Sequence, residues 1–311
     1  MQRRLPLLFL DRLAAQYGPS ARDRIVAAFG VDRRPTFRAN TLKIADQELM
    51  SRLREQGIAF ERIKAIPHAF ICKSMDDKEL LETDVCTAGF IYLQGLSSMV
   101  PPIVLDPKPG ERVLDLCAAP GSKTSQMAAM MGNEGFIVAM ESDAVRFQKL
   151  THTIAKQGVT IEEAKEGDAS LLCRGLESAF DKVLADVPCS AEGRISTKDP
   201  RSFRFWSQKN IIAHAKEQRR LLRAAVASLK VGGTLVYSTC TLAPEENELM
   251  VDWLAKEYPS VVQEQVTVNI DGRKAKEGYL TLLPTDAHEG LFVAKFRKKQ
   301  VEQNVKTNPG G

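Results

Sequence analysis

The sequence predicts an α/β protein, in which a doubly wound, mostly parallel sheet follows a small α+β domain. Three observations support this fold class. After about residue 111, apolar strand segments alternate with longer helical segments. Before about residue 65, the apolar residues recur mainly at helical spacing. The 311 residues are 44% hydrophobic and 26% charged, which is a globular composition and enough chain for one large and one smaller domain.

The N-terminal part has the pattern of three amphipathic helices and two short strands. Helices are expected from residue 5 to residue 13, at 21–29 before Gly30, and at 46–56 before Gly57. The strands are expected at 58–64 and 69–73. We place the domain boundary at about residue 85, which divides the chain into residues 1–85, 86–297 and a polar tail, 298–311, expected to be disordered.

The larger part alternates between the two kinds of segment. Strands are expected at residues 112–116, 136–140, 182–185, 234–237 and 291–296, with a weaker one ending at Gly167. Helices are expected at residues 122–131, 144–157, 207–229 and 245–258. Such alternation predicts a parallel sheet with helices on both faces. The last strand follows another extended segment with no helix between them, which favours an antiparallel strand at the edge.

Composition excludes several classes of protein. No apolar run approaches the roughly 18–20 residues that span a membrane, and the apolar start at 5–10 is too short for a secretion signal. A cytoplasmic location is therefore expected. The four histidines have no metal-ligand spacing and the six cysteines contain no C-x-x-C pair, so neither a metal site nor a disulfide framework is expected.

Charge is unevenly distributed along the chain. The net charge is +4, yet residues 3–64 contain 13 Lys/Arg against 7 Asp/Glu. A basic end beside a nearly neutral body suits a module that binds a polyanion. A solvated helical face explains the same charges equally well.

The ends of the first three strands have the residues of a nucleoside pocket. In a doubly wound sheet, ligands bind outside the carboxyl ends of the strands. The first strand leads into D-L-C-A-A-P-G-S-K-T, where small residues and a helix N-terminus allow close backbone approach, with Lys123 as a cation. Glu141 is expected to accept the ribose hydroxyls and Asp168 an adenine amino group. Each acid alone is explained as well by helix capping, but together they favour an adenosine pocket.

Two cysteines stand at the ends of neighbouring strands. The fourth strand ends in D-V-P-C-S, with Asp186 and Cys189, and the fifth in Y-S-T-C-T, with Cys240. A thiolate that adds to C6 of cytosine makes C5 nucleophilic towards a methyl donor, and a base must then remove the C5 proton. A nearby lysine favours the thiolate, and Lys123 is a candidate. The residue types required for cytosine-5 methylation are therefore present.

The complete motif set resembles the RsmB/NOP2/Sun family of RNA cytosine-5 methyltransferases. The similarity covers most of residues 35–297, from R-A-N-T-L-K at Arg38, through L-Q-G-L-S-S, D-L-C-A-A-P-G-S-K-T-S-Q, D-V-P-C-S and Y-S-T-C-T-L-A-P-E-E-N-E, to E-G-L-F-V-A at Glu289. The resemblance implies a class I, Rossmann-like methyltransferase fold and S-adenosyl-L-methionine as cofactor. It departs from the usual pattern at Ser122, where a second glycine is common, and at Glu141, where aspartate is common.

The resemblance also implies roles for individual residues. Cys240 is the nucleophile, Cys189 assists product release, Asp186 binds the target base and Lys123 shapes the same site. The residues expected at the cofactor are Asp115, Cys117, Ala118, Ala119, Pro120, Gly121, Ser122, Lys123, Glu141, Arg146, Asp168 and Asp186.

The expected partner is RNA, either ribosomal or transfer RNA, with an unpaired or flipped cytosine. Residues 1–85 are expected to form an RNA-binding domain whose basic residues contact phosphates. Arg194 and the loop around Arg201 and Arg204 are expected to line the RNA path, although Phe205 and Trp206 in that loop could instead seat the following helix. The basic residues expected at phosphates are Arg33, Arg34, Arg38 and Lys43.

Three other readings of the sequence compete with this one. A ribose 2′-O-methyltransferase shares the A-A-P-G turn, but it needs a lysine-rich site and has no use for two cysteines. An N-methyltransferase favours an aromatic residue after Pro188, where this chain has Cys189. A catalytically inactive RNA-binding scaffold would not need both thiols.

Overall fold

The computed structural model describes residues 4–268 and 278–300, which form a small antiparallel sheet and a larger mixed sheet. The helices are α1 (Leu7–Tyr17), α2 (Pro19–Ala28), α3 (Asp46–Glu55), α4 (Asp77–Leu81), α5 (Asp84–Thr87), α6 (Val100–Leu105), α7 (Ser122–Met130), α8 (Ala144–Gln157), α9 (Ala169–Leu172), α10 (Gln208–Ser228) and α11 (Glu248–Glu257). The strands are β1 (Thr36–Ala39), β2 (Phe60–Arg62), β3 (Ala69–Cys72), β4 (Ile91–Leu93), β5 (Arg112–Asp115), β6 (Phe136–Glu141), β7 (Glu162–Glu166), β8 (Phe180–Asp186), β9 (Leu229–Thr239), β10 (Val261–Glu264), β11 (Tyr279–Leu282) and β12 (Leu291–Lys298).

The small sheet has the strand order β2-β3-β1-β4. Phe37 and Phe70 face each other across β1 and β3, and their rings stack with centroids 5.4 Å apart. Such a pair contributes about 0.5–1.5 kcal/mol beyond the area it buries. Leu49 and Leu53 of α3, four positions apart on one helix face, bury their side chains in the same core. The strand β4, which completes this sheet, lies after residue 85, and the domain boundary at that residue stays a prediction.

The first two helices pack against the larger domain. Phe9 and Leu13 of α1 and Ile25 of α2 share a buried cluster with Ile195 and Leu242, which lie in the loops after β8 and β9. An ion pair of 2.7 Å between Arg12 and Glu245 joins the same surfaces. The N-terminal segment therefore supports the loops that follow two strands of the large sheet, an arrangement that sequence periodicity could not show.

The large sheet has the order β10-β12-β9-β8-β5-β6-β7, and the pairs from β9 to β7 are parallel. As predicted, β12 is antiparallel to its neighbour β9. The prediction that it forms the edge is wrong, since β10 pairs with residues 295–298 of β12 and β11 with residues 291–294. At the opposite edge, β7 has the sequence E-E-A-K-E, and this polarity explains its weak signal and suits an exposed edge.

Helices cover both faces of this sheet, as alternation predicts. Val113 of β5 packs in one core with Met127 of α7 and Leu150 of α8, whereas the next residue, Leu114, packs in the other core with Leu221 of α10. The predicted helix at 245–258 begins later, at Glu248, because Pro244–Glu246 forms a separate 3-10 turn. Lys298, predicted to begin the tail, is the last residue of β12, and residues 301–311 lie outside the described part. Within residues 4–268 and 278–300, every helix is too short or too polar to cross a bilayer.

Candidate active site

A cleft of about 710 Å³ lies at the carboxyl ends of β5, β8 and β9. The large sheet supplies the loops after these strands, and the small domain supplies the opposite wall. Residues from the small-domain side include Arg33, Arg34, Thr36, Tyr92 and Gln94. Cys189 and Cys240 both line the cleft, as their positions at neighbouring strand ends predicted.

The two thiols are in contact. In the parallel pair β8–β9, Asp186 lies opposite Ser238, so the residues just beyond these positions leave the sheet side by side. The Sγ atoms of Cys189 and Cys240 lie 3.2 Å apart, and the backbone N–H of Cys240 donates to Cys189 Sγ over 3.3 Å. Both cysteines are free, since no disulfide joins them.

Local charges make the two thiols unequal. The hydrogen bond with Cys189 is the main cause that lowers the pKa of Cys240, and Arg194 lowers it further despite burial and the charges of Asp186 and Glu289. The same hydrogen bond raises the pKa of Cys189, to which burial and Glu246 add. Either sulfur can donate in this bond, so the charges beside them, Arg194 for Cys240 and Glu246 for Cys189, distinguish the two thiols. The Arg194 side chain is 59% exposed, so solvent screening moderates its effect.

Asp186 is held by a cation and a hydroxyl. Its Oδ2 lies 2.7 Å from Lys123 Nζ, and its Oδ1 accepts from the Ser238 hydroxyl at 2.7 Å. Lys123 Nζ also donates to Ser98 Oγ at 3.1 Å. Lys123 therefore orients Asp186, and the cation that lowers the pKa of Cys240 is Arg194 rather than the predicted Lys123.

The loop from β5 to α7 forms the floor of the cleft. Its lining residues are Cys117, Ala118, Ala119, Pro120, Ser122 and Lys123. Gly121 has φ +100°, and a Cβ on it would lie 3.0 Å from Thr153 of α8, so the turn requires glycine. Asp115 is buried beneath the loop, where its Oδ2 accepts from the Thr124 hydroxyl at 2.7 Å, and burial raises its pKa to about 7. Gly121 and Asp115 therefore shape the loop and do not line the cleft.

The two acids predicted to bind ribose and adenine, Glu141 and Asp168, differ in whether a carboxylate oxygen is left without a hydrogen bond. Glu141 Oε1 accepts from the backbone N–H of Asp143, while its buried Oε2 has no hydrogen-bond partner among the described residues. Arg146 lies 3.4 Å from that oxygen and donates to the Ala119 carbonyl. Asp168 caps α9 through Ser170 and pairs with Arg220, outside the cleft, so the structure gives it the capping role that the sequence also allowed.

The residues predicted to hold RNA separate into two groups. Arg33, Arg34 and Arg194 line the cleft, and Arg194 pairs with Glu289 at 3.0 Å. The other predicted residues, Arg38, Lys43, Arg201 and Arg204, do not line it.

Burial weighs against one of these assignments and hydrogen bonding against another. Arg38 is 3% exposed and its guanidinium donates to Gln94 and Ser125, so it cannot reach a phosphate. Lys43 Nζ donates to the carbonyls of Ala88 and Lys156, which uses its ammonium to tie the small domain to α8.

In the loop of residues 201–206, after β8, one aromatic residue is held by the protein and the other is exposed. Trp206 donates to Glu192 at 2.7 Å and packs edge-on against Phe9 of α1, so it anchors the residues just before α10 to α1 and to the turn after β8. Phe205 is 68% exposed beneath Arg204, and Arg201 pairs with Asp199. RNA contact by Arg201 and Arg204 stays a prediction.

Sequence reasoning missed two glycines that hold the Cys240 backbone. Gly193 donates to the Cys240 carbonyl at 2.9 Å, and Gly290 donates to the Gly193 carbonyl at the same distance. A Cβ on Gly193 would lie 2.8 Å from the Cys240 oxygen and 2.7 Å from Gly290 Cα. The only sequence feature that could have pointed to these glycines is the E-G pair that occurs at both 192–193 and 289–290.

No group of three or more His, Cys, Asp or Glu side chains in the described ranges is arranged to share a metal ion.

A doubly wound sheet in which two neighbouring parallel strands each lead to a cysteine at one cleft defines a class I methyltransferase with a thiol pair. Family models agree: residues 102–297 match the model described as 16S rRNA methyltransferase RsmB/F, and residues 5–76 match the RsmF/B-like, ferredoxin-like domain. The chain therefore belongs to the RsmB/F methyltransferase family.

Curated relatives support the same membership. A tRNA (cytosine(49)-C(5))-methyltransferase from Pyrococcus abyssi is 39% identical over 85% of this chain and 88% of its own length. Ribosomal RNA small subunit methyltransferase F from Shewanella piezotolerans is 36% identical over 89% of this chain, but only 60% of its own length is covered.

Solved structures share the fold. A methyltransferase homologue from Pyrococcus horikoshii has a TM-score of 0.82 and 33% identity, covering 94% of this chain and 95% of its own. NSun6 from Pyrococcus horikoshii, solved with SFG, has a TM-score of 0.84 and 25% identity, covering 95% and 99%.

Proposed function

We propose that this chain is an S-adenosylmethionine-dependent RNA (cytosine-5)-methyltransferase that uses Cys240 as its nucleophile. The observation that carries the proposal is the contact between the Cys189 and Cys240 sulfur atoms, 3.2 Å apart in a cleft that also contains Asp186. The family membership and the names of the relatives support the same reaction.

The residues at the carboxyl ends of β5 and β6 fit the cofactor. Glu141 Oε2 has no hydrogen bond among the described residues and lies 3.4 Å from its ion-pair partner Arg146, so it can accept a ribose hydroxyl. The small residues Ala118 and Ala119 let a ligand approach the backbone closely. NSun6, a similar structure, was solved with SFG, an analogue of S-adenosylmethionine. When bound, S-adenosylmethionine supplies an electrophilic methyl group on a sulfonium.

The protein's own groups perform the remaining chemistry. The Cys240 thiolate, favoured by its lowered pKa, adds to C6 of the cytosine and makes C5 nucleophilic. Addition at C6 makes N3 basic, so N3 takes up a proton from water, and the carboxylate of Asp186, fixed by Lys123 and Ser238, accepts a hydrogen bond from the resulting N3–H. Once Cys240 is bonded to C6 and is no longer a thiolate, Cys189 beside it loses its proton to water, and the Cys189 thiolate then takes the C5 proton, after which the Cys240–C6 bond breaks.

The cleft suits one flipped nucleotide beside the cofactor. A volume of about 710 Å³ lies in the usual range for small-molecule sites. Arg34 and Arg194 provide positive charge at its walls for the flanking phosphates. The substrate is ribosomal or transfer RNA, because the relatives act on one or the other by name, and we place the protein in the cytoplasm with these RNAs.

The two competing functions explain the site less well. A 2′-O-methyltransferase needs a lysine free to activate a hydroxyl, whereas Lys123 is paired with Asp186 at 2.7 Å. An inactive scaffold has no requirement for two thiols in contact.

The proposal is tested with Cys240→Ser and the wild-type protein, using labelled S-adenosylmethionine and total RNA from cells that lack the gene. The wild type should label RNA at cytosine C5, and Cys240→Ser should not, while both bind the cofactor. Cys173→Ala is the matched control, because this thiol is buried in a hydrophobic core and does not line the cleft. Labelling by Cys240→Ser at the wild-type rate would refute the proposal. Bisulfite sequencing of RNA from cells with and without the gene identifies the target cytosine.

A further inference from the structure

The residues that follow the two cysteines are joined to each other. The hydroxyls of Ser190 and Thr241 lie 2.7 Å apart in a hydrogen bond. This bond ties the loop after β8 to the loop after β9 immediately behind the two thiols. Its partners belong to a buried polar group for which the reaction described above has no use.

Glu246 holds the Cys189 loop. Its fully buried carboxylate accepts from the Ser190 hydroxyl, from the Ser190 backbone N–H at 3.1 Å and from Gln218 Nε2 at 2.7 Å. Gln218 also donates to the Pro188 carbonyl at 2.9 Å. The residues on both sides of Cys189 are therefore tied to one carboxylate, and all three of its partners are donors, which suits a group that only accepts.

Asn247 holds the Cys240 loop in the same way. Its Oδ1 accepts from the Thr239 hydroxyl at 2.6 Å, and its Nδ2 donates to the Thr241 carbonyl at 3.1 Å. Asn247 is fully buried, so neither bond competes with water. Two consecutive residues thus hold the flanks of two cysteines that are 51 positions apart.

We propose that Glu246 and Asn247 are positioning residues that hold the two thiols in contact and make Cys240 the more reactive of the two. The inference deepens the proposed function and rests on it for its catalytic meaning. It requires that the carboxylate of Glu246 act on Cys189 more than on Cys240. The charge of Glu246 does raise the pKa of Cys189, whereas the charge that lowers the pKa of Cys240 comes from Arg194.

The variants separate charge from placement. Glu246→Gln keeps the size of the side chain but removes the negative charge and turns one amide donor towards the three existing donors. Asn247→Ala removes the two hydrogen bonds that Asn247 makes to the Cys240 loop and leaves the charge of Glu246 in place. Glu245→Gln is the matched control, since Glu245 is the neighbouring residue and pairs with Arg12, away from the thiols.

The measurement is the rate of iodoacetamide alkylation of each cysteine against pH, read by mass spectrometry of peptides. It uses the full chain and needs neither RNA nor cofactor, so it tests the positioning of the thiols by Glu246 and Asn247, here called the clamp, separately from methyl transfer. In the wild type, Cys240 should react at lower pH than Cys189. In Glu246→Gln the ratio of the rate at Cys240 to the rate at Cys189 should fall about tenfold when it is read above the pKa of Glu246, which burial raises to about 7, and a tenfold change corresponds to about one pKa unit. In Asn247→Ala the pH midpoint of Cys240 alkylation should rise, because the displaced Cys240 loses its hydrogen bond with Cys189.

Thermal unfolding shows which variants remain folded. If Glu246→Gln is unfolded, Ser190→Ala replaces it, because this change removes only the hydroxyl that bridges Glu246 and Thr241. The ratio of the Cys240 rate to the Cys189 rate should then fall as well, but by less. If folded variants keep the wild-type midpoints and ratio, the clamp is refuted even when Cys240→Ser has confirmed the methyltransferase. If the ratio falls while the wild type methylates no RNA, the clamp stands and the proposed substrate is wrong.

Discussion

The Sγ atoms of Cys189 and Cys240 lie 3.2 Å apart although the residues are 51 positions apart in the chain. A disulfide would bring them to about 2.05 Å, so the pair is two thiols in contact. In such a pair, one sulfur can stay protonated and donate to the other, which then carries the charge at lower pH. The division of roles between nucleophile and release group thus follows from their environments.

Replacing the release group should trap the reaction at its covalent stage. In Cys189→Ala, Cys240 can still add to C6, but the Cys189 thiolate that would take the C5 proton is missing, so the bond between protein and RNA persists. We expect a slowly migrating protein–RNA band in denaturing gels after incubation with S-adenosylmethionine and substrate RNA. The double variant Cys189→Ala/Cys240→Ser should give no band, and an equal band from both would contradict the assignment of the nucleophile.

Arg194 should set the pH at which Cys240 becomes reactive. Its charge lowers the pKa of Cys240, so Arg194→Gln should move the acidic limb of the pH–rate profile to higher pH. The rate should fall several-fold near neutrality and recover at alkaline pH, since only the fraction of thiolate changes. Arg201→Gln is the control, because Arg201 pairs with Asp199 outside the cleft. A loss of rate that is the same at every pH would mean that Arg194 acts on RNA instead.

Arg34 should contribute to RNA affinity through phosphate contact. Its exposed side chain lines the cleft on the small-domain wall. In Arg34→Ala, affinity should weaken similarly for different RNA sequences, and the slope of log K against log salt should decrease by about 1. Lys43→Ala should leave the slope unchanged, because Lys43 already donates to two carbonyls. Fluorescence anisotropy at several salt concentrations measures both slopes, and equal slopes for the two variants would contradict the prediction.

Sequence periodicity predicted the large sheet well because its elements are long and strongly patterned. The helix at 144–157 was predicted with its observed bounds, since its apolar face recurs regularly and Asp143 and Gly158 provide the caps. The short elements were missed for the opposite reason. The strand β4 has three residues and the helix α5 has four, too few for any period to show.

Some residues of the candidate site could be predicted from the sequence and others could not. Residues at strand ends, such as Asp186 and Cys240, could be found because the topology of the fold brings them to one edge. Residues whose role depends on burial could not. Arg38 looked like a phosphate ligand on charge alone, yet it is buried against Gln94 and Ser125. Glu246 belongs to the motif Y-S-T-C-T-L-A-P-E-E-N-E, but only the folded chain shows that its carboxylate accepts from Ser190.

Gly193 should be intolerant of a side chain. A Cβ there would lie 2.8 Å from the Cys240 carbonyl oxygen, so backbone must move. Gly193→Ala should destabilise the protein by about 1–3 kcal/mol and lower the rate by displacing Cys240. Gly30→Ala is the control, since its new Cβ would meet only ordinary contacts at 3.4–3.5 Å. Urea denaturation gives the free energies of unfolding, and equal values for the two variants would refute the close approach.

Asp115 should make the cofactor-free protein less stable as pH rises. Burial raises its pKa from an ordinary value of 3.8 to about 7, so between these values the folded state binds more protons than the unfolded state. The free energy of unfolding therefore falls as pH rises through this window, and the stabilising effect of protonation is fully present only below about pH 4. The buried carboxyl of Glu246, whose pKa is also raised to about 7, acts in the same direction.

The comparison with Asp115→Asn isolates the contribution of this one carboxyl. Asparagine can still accept from the Thr124 hydroxyl, but it does not titrate. The difference in unfolding free energy between the variant and the wild type should therefore change in favour of the variant as pH rises from about 5 to about 8. Urea titrations at several pH values without cofactor measure this difference. A difference that stays constant over the whole range would show that Asp115 is already ionised in the folded protein at pH 5, and the buried proton would have to be assigned elsewhere.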